Sequence, residues 1–183
     1  MRGVEENRID IGLVTLPAAG NCLRVDPLGS DELVIIMEKG HCVQSATPSG
    51  PDALLPLPLI IFEPGSGTRA LIDGWFRYGG HTAAPVMELG SIEAIKRMVR
   101  AGLGYSIVPR MAVATREERE GLSVYTMVPP LHRTLGTVMR EDRMISRGMG
   151  EVLRRLRGQF PADAEPFPEA GGIPEAGPFF QAR

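Results

Sequence analysis

The chain has 183 residues, 43% of them hydrophobic and 23% charged, with a formal net charge of -2. That is enough apolar material for one domain or two small lobes, and the near-neutral balance gives no global reason to expect a nucleic-acid surface. Two cysteines, Cys22 and Cys42, make no disulfide framework and are expected to stay thiols. The polar start MRGVEENRID is no signal peptide, and no apolar run approaches the roughly 20 residues of a membrane helix. A cytoplasmic location is therefore expected.

In chain order, residues 1–7 read as the end of a helix. Residues 9–15 (IDIGLVT) read as a strand stopped by Leu16, Pro17 and the small residues after them. Residues 23–27 and 32–37 are strand candidates on either side of a predicted turn, Leu28-Gly29-Ser30-Asp31. Residues 40–56 are rich in Gly, Pro, Ser and Ala, and are expected to be a surface connection with a short turn. Leu59–Phe62 is an apolar run of strand length, Gly65-Ser66-Gly67-Thr68 breaks it, and residues 70–78 follow with helical spacing. Residues 85–89 form a further strand, and Gly90-Ser91 opens a helix over 92–101. Gly102 and Gly104 stop that helix, and residues 105–108 are a strand. Strands alternating with helices predict an α/β fold with a largely parallel sheet.

The second half continues with a charged, solvated turn over 115–121 and a strand over 122–127 that Pro129-Pro130 is expected to end. Residues 133–139 are another strand, and 146–160 a helix with Val152, Leu153 and Leu156 on its apolar stripe. Beyond Phe160, Pro, Gly, Ala and Glu dominate without a periodic apolar face, so residues 161–183 are expected to be a disordered tail.

Gly65-Ser66-Gly67-Thr68 carries the strongest chemical signal. Two glycines let the backbone approach a ligand closely. Ser66 and Thr68 add hydroxyls, and the start of the following helix favours anions such as a carboxylate or phosphate. The same residues also fit a plain strand-to-helix turn with a hydroxyl cap. No Gly-Lys-Ser/Thr follows, so the turn is no P-loop. Ser91 with Glu93 suits a helix start, with a ligand role secondary. His41, His81, His132, Cys22 and Cys42 lack metal-ligand spacing. Ser66 has no evident base and lies in no Gly-x-Ser-x-Gly elbow, so neither a metal, a cofactor nor catalysis is expected. Lys96, Arg97 and Arg100 are expected to form a solvated basic face.

The stretches RIDIGLVTLP, FEPGSGTR and ELGSIEAIKRMVRAGLGYSIVP resemble the effector-binding domain of LysR-type transcriptional regulators, over about residues 4–156. The resemblance implies a two-lobed, periplasmic-binding-protein-like α/β domain with its first lobe incomplete. Lobe one would span about 1–58 and 133–160, and lobe two about 65–126. Crossovers would lie near Leu59–Phe62 and near 128–133. A small effector, a carboxylate or other anion, would bind between the lobes. Thr15 and Leu16 would approach it from the first strand, and Glu63, Gly65, Ser66, Gly67 and Thr68 from the crossover, with Ser91 nearby. Glu63 would repel an anion, so it is expected either to pair with Arg69 or to turn outward.

The resemblance also implies a homodimer or homotetramer that reads DNA only through a winged helix-turn-helix, which is absent from this sequence. A wrongly assigned start or a truncated gene is the expectation that follows. The alternatives are a free-standing cytoplasmic binding module, a non-functional fragment with no DNA role, or an enzyme using Ser66 or Glu63.

Overall fold

The computed structural model describes residues 1–18, 20–40 and 50–160. His41, Cys42 and the expected tail over 161–183 lie outside the described residues. Among the described residues twelve elements follow one another, beginning with a short helix α1 (Arg2–Glu5), strand β1 (Gly12–Thr15) and the long strand β2 (Leu23–Glu38). Helix α2 (Pro51–Leu54), strand β3 (Leu59–Phe62), helix α3 (Gly67–Tyr78), strand β4 (Pro85–Leu89) and helix α4 (Ile92–Arg100) come next. Strand β5 (Ser106–Pro109), a 3-10 turn (Arg110–Val113), the long strand β6 (Leu122–Arg140) and helix α5 (Arg147–Arg157) complete the order.

Four expected strands are two. β2 runs unbroken through the predicted turn at residues 28–31, and β6 runs through Pro129-Pro130. They pair antiparallel from Leu23↔Arg140 to Glu38↔Leu122. The residues that looked like breakers sit where the ladder is irregular. Pro27 adjoins a register shift before Gly29, and residues 127–130 bulge out between Leu33↔Leu131 and Val34↔Thr126. A proline has no N–H for the ladder, and a bulge is where its loss costs nothing. The bulge is anchored instead by Trp75, whose Nε1 donates to the Pro129 carbonyl at 3.0 Å. Gly29 serves packing: a Cβ there would stand 2.7 Å from Phe160 Cβ.

Within residues 59–105 the pairing is parallel as expected, β3 with β4 and Leu59 with Tyr105, whereas the long strands outside that stretch pair antiparallel. One sheet has the order β1-β6-β2-β5 with every ladder antiparallel, and the second pairs β3 and β4 in parallel. Tyr105 connects the two sheets. Its N–H donates to the Pro58 carbonyl and its carbonyl accepts from Ile60 N–H, each at 2.9 Å. Gly104 makes this approach possible, since it has φ +154° and any Cβ there would lie 2.2 Å from the Pro58 oxygen.

Apolar side chains gather in two cores. The larger holds Leu33, Ile35, Met37, Leu54, Ile60, Phe62, Ile72, Trp75, Ile95 and Ile107. The smaller is built on Val4, Leu23 and Val138, with Val14, Ala18 and Val25 against it. β2 and β6 contribute to both cores, so they carry the chain between them. Leu59–Phe62, the expected crossover, lies entirely within the larger core. The apolar half of β2 packs with β3 and β5 in the larger core.

The helices follow their apolar spacing. α3 buries Thr68, Ile72, Trp75 and Phe76, the i, i+4, i+7, i+8 face of an amphipathic helix. It starts at Gly67, three positions before the apolar pattern shows. α4 buries Ile95 and Val99, and also Lys96. Lys96 is 2% exposed, against the expectation of a solvated face. Its stem crosses apolar surface, and its ammonium donates to the Ala112 carbonyl at 3.0 Å and pairs with Glu93 at 2.6 Å. Arg100 of the same helix donates to the Glu118 and Glu120 carbonyls, holding the charged turn after the 3-10 segment. α5 is capped by Ser146, whose Oγ accepts from Met149 N–H, and it ends three residues short of the expected Phe160.

Candidate ligand-binding cleft

β1 ends where α3 begins. The turn after β1 is fastened by Leu16 N–H donating to the Thr134 carbonyl at 2.8 Å. Leu16 itself lies over β6, its Cδ atoms 3.0 and 3.1 Å from where a Gly136 Cβ would be. Thr15, half-buried, faces the first turn of α3, and a Cβ on Gly67 would stand 3.1 Å from Thr15 Cβ. β1 packs with the smaller core and α3 with the larger, so the contact lies between them.

The two glycines of the turn have separate reasons. Gly65 has φ +91° and open space around it, so it supplies a left-handed backbone. Gly67 supplies closeness to Thr15. Ser66 is the N-cap residue of α3 in extended conformation, yet its hydroxyl makes no capping bond. Thr68 is buried at 4% exposure, and its Oγ1 accepts from Arg133 Nη1 at 3.4 Å.

Glu63 and Ser91 stand apart from this cluster. Glu63 is exposed, and its carboxylate leans to within 2.9 Å of where a Gly90 Cβ would be, near the start of α4. That end of a helix favours an anion. Arg69 is taken by other partners: Asp73 at 2.9 and 3.0 Å, the Phe62 carbonyl at 2.8 Å and Glu88 at 2.6 Å. Burial lowers the Arg69 pKa, but hydrogen bonds and charge from Glu88 and Asp73 outweigh it, and the net direction is up. Arg69 thus ties α3 to β3 and β4. Ser91 is exposed, and its hydroxyl makes no capping bond.

Two charged residues that the sequence reasoning gave no site role lie beside the first turn of α3. Asp31 of β2 and Arg133 of β6 are directly opposite in the ladder. Arg133 Nε and Nη2 donate to Asp31 Oδ2 at 3.0 and 2.9 Å. The side chains are 12% and 8% exposed. Met111 joins them, its N–H on Asp31 Oδ1 and its Sδ accepting from Arg133 Nη2, both at 3.3 Å. The partners are about a hundred residues apart in sequence, and no local pattern signals the pairing. The one visible hint was an arginine opening an otherwise apolar strand pattern, RTLGTVM.

Residues 1–161 match the LysR substrate binding domain. The chain belongs to that family. The HTH-type transcriptional regulator YeiE of Escherichia coli K12 is 32% identical over 162 residues, covering 84% of this chain and 52% of that protein. The chain thus spans about half the length of the curated relatives it matches. The regulatory domain of Synechocystis PCC6803 CcmR in complex with 2-PG superposes with TM-score 0.75 at 23% identity, covering 88% of this chain and 78% of that one. Reduced OxyR from N. meningitidis superposes with TM-score 0.71 at 18% identity, covering 89% and 76%. These likenesses show the periplasmic-binding-protein-like fold of LysR regulatory domains. The relatives are named as transcriptional regulators, not as enzymes. Among the described residues no helix is long and apolar enough to cross a membrane.

Proposed function

We propose that this LysR substrate-binding domain is the effector-sensing part of a cytoplasmic transcriptional regulator, and that a small anionic metabolite binds between its two cores. The two cores are the lobes of this reading, and β2 and β6 are the crossovers. The contact of Thr15 with Gly67 carries it, since it sets the end of a lobe-one strand against the hydroxyl-rich start of a lobe-two helix. Ser66 with its uncommitted hydroxyl, Thr68 and Thr15 are the polar contacts of the cleft. Leu16 supplies an apolar wall. Glu63 and Ser91 form the rim. CcmR in complex with 2-PG is an example of a related fold holding a small ligand.

Effector binding shifts the lobes between arrangements, and the regulator's output follows that shift. DNA contact falls to a winged helix-turn-helix outside these residues, consistent with relatives named HTH-type regulators that are about twice as long. A homodimer or homotetramer is the working assembly, supported by exposed apolar side chains such as Val86 on the edge strand β4.

The test is a screen of small carboxylates and phosphate esters against the 183-residue chain by calorimetry, followed by Gly67→Leu. A leucine at this position has no room against Thr15 and must push the start of α3 away from the end of β1, so binding should weaken by more than about tenfold, a change of about 1.4 kcal/mol. A correctly folded Gly67→Leu chain that binds its ligand as the parent does would refute the cleft.

A further inference from the structure

Arginine has five N–H donors in a planar fork and keeps its charge when buried. In Arg133 that fork is unevenly used. Nε and Nη2 both serve one oxygen, Asp31 Oδ2, at 3.0 and 2.9 Å. The remaining Nη2 contact is the thioether of Met111, a weak acceptor. Nη1 has two hydrogens and a single long contact, 3.4 Å to Thr68 Oγ1. A nearly buried guanidinium normally fills its donors with good acceptors, because an unmet donor in such a place is costly. The underused edge is the one turned toward Thr68, in the first turn of α3 beside Gly67 and Thr15.

We infer that the Nη1 edge of Arg133 is the anion contact of this cleft, and that Asp31 is the resting counter-ion the ligand works against. The inference rests on the cleft reading above and sharpens it. The ligand class is a small carboxylate or phosphate monoester. One of its oxygens accepts from Nη1, and the Thr68 hydroxyl turns to donate to the same group. Asp31 already offsets the positive charge, so the site discriminates by hydrogen-bond geometry, and the rigid fork, held by Asp31 through Nε and Nη2, fixes the direction of Nη1 in a way a flexible lysine could not. Asp31 and Arg133 face each other across the two strands that join the cores. A ligand held there touches both crossovers at once.

Inorganic phosphate is the probe, titrated calorimetrically into the 183-residue chain. Asp31→Asn removes the competing charge and should tighten phosphate by about tenfold. Arg133→Lys keeps the charge but not the fork and should weaken it. Arg133→Gln leaves Asp31 buried alone and risks unfolding, so the double variant Asp31→Asn/Arg133→Gln, uncharged on both sides, is the folded comparison. It should lose phosphate binding, with circular dichroism unchanged. Phosphate affinity that stays the same in Asp31→Asn and in the double variant overturns the assignment. If Gly67→Leu abolishes that same binding, only the Arg133 assignment falls. If Gly67→Leu leaves it intact, the cleft reading falls with it. Absence of phosphate binding in both the parent chain and Asp31→Asn also overturns the inference.

Discussion

Gly104→Ala tests the junction on which the two sheets depend. At this position the added methyl would lie 2.2 Å from the Pro58 carbonyl oxygen and 3.0 Å from its carbon, both backbone atoms that cannot rotate away. The φ of +154° is itself one that side-chain-bearing residues rarely adopt. Relief requires β3 and the segment before β5 to separate. That breaks two hydrogen bonds, Tyr105 N–H to Pro58 and Ile60 N–H to Tyr105, both 2.9 Å. Each contributes about 0.5–1.5 kcal/mol, and residual backbone strain adds about 1–3 kcal/mol. The expected loss is about 3–4 kcal/mol, or roughly 10 °C in Tm for a domain of this size.

Gly65→Ala is the control, with a positive φ of +91° but nothing within 4 Å. It should cost only the left-handed conformation, about 1–2 kcal/mol. Urea unfolding of both variants gives the comparison, with the midpoint moving and the slope constant. A Gly104→Ala chain no less stable than Gly65→Ala would refute the close approach of β3 to Tyr105.

Three further outcomes follow from other contacts. Lys96→Met should destabilise by about 1.5–3 kcal/mol by losing the charged donor to Ala112. A solvated lysine would give a change within about 0.5 kcal/mol, so urea midpoints separate the buried from the solvated reading. Trp75→Phe keeps most of the ring's packing and removes the hydrogen bond to Pro129, for an expected loss of about 1 kcal/mol by thermal melting; no loss would mean that the bulge in β6 is not held from α3. Glu118, Asp142 and Glu151 have pKa values held down, by the Thr115 N–H, by Arg140, and by Arg154 with Arg155 respectively. Such groups stabilise above the ordinary carboxylate pKa near 4 and lose that contribution as pH falls through the lowered folded values. The urea midpoint should therefore drop below about pH 4, and Asp142→Asn should flatten part of that drop.

Local signals were read well where chemistry within a few residues decides the structure. Leu59–Phe62 and Pro85–Leu89 are strands with the expected bounds, and α4 opens after Gly90-Ser91. The Gly65–Thr68 turn was legible because a strand must stop, the chain must turn left-handed, and a helix must begin. The family resemblance, not spacing, set Thr15 across a ligand from that turn, and in the structure a Cβ on Gly67 would stand 3.1 Å from Thr15 Cβ.

The errors share a cause. Gly29, Pro129 and Pro130 are turn residues by type, and from local chemistry they should have ended strands. Register placed them at irregular points of the β2–β6 ladder instead, where a missing N–H or a missing side chain is useful. Lys96 has the composition of a surface residue, but the 3-10 turn folds back over it and offers a carbonyl. Asp31 and Arg133 meet only because β2 and β6 pair in one particular register.

The sequence by itself determined the family, the α/β class, the shorter strands and the glycine turn, since those depend on residues close together in the chain. The tertiary structure alone decided which strands fuse, how the chain divides between two cores, and which charges meet across the β2–β6 ladder. Those outcomes depend on pairings across about a hundred residues, where a shift of one position sends every side chain to the opposite face.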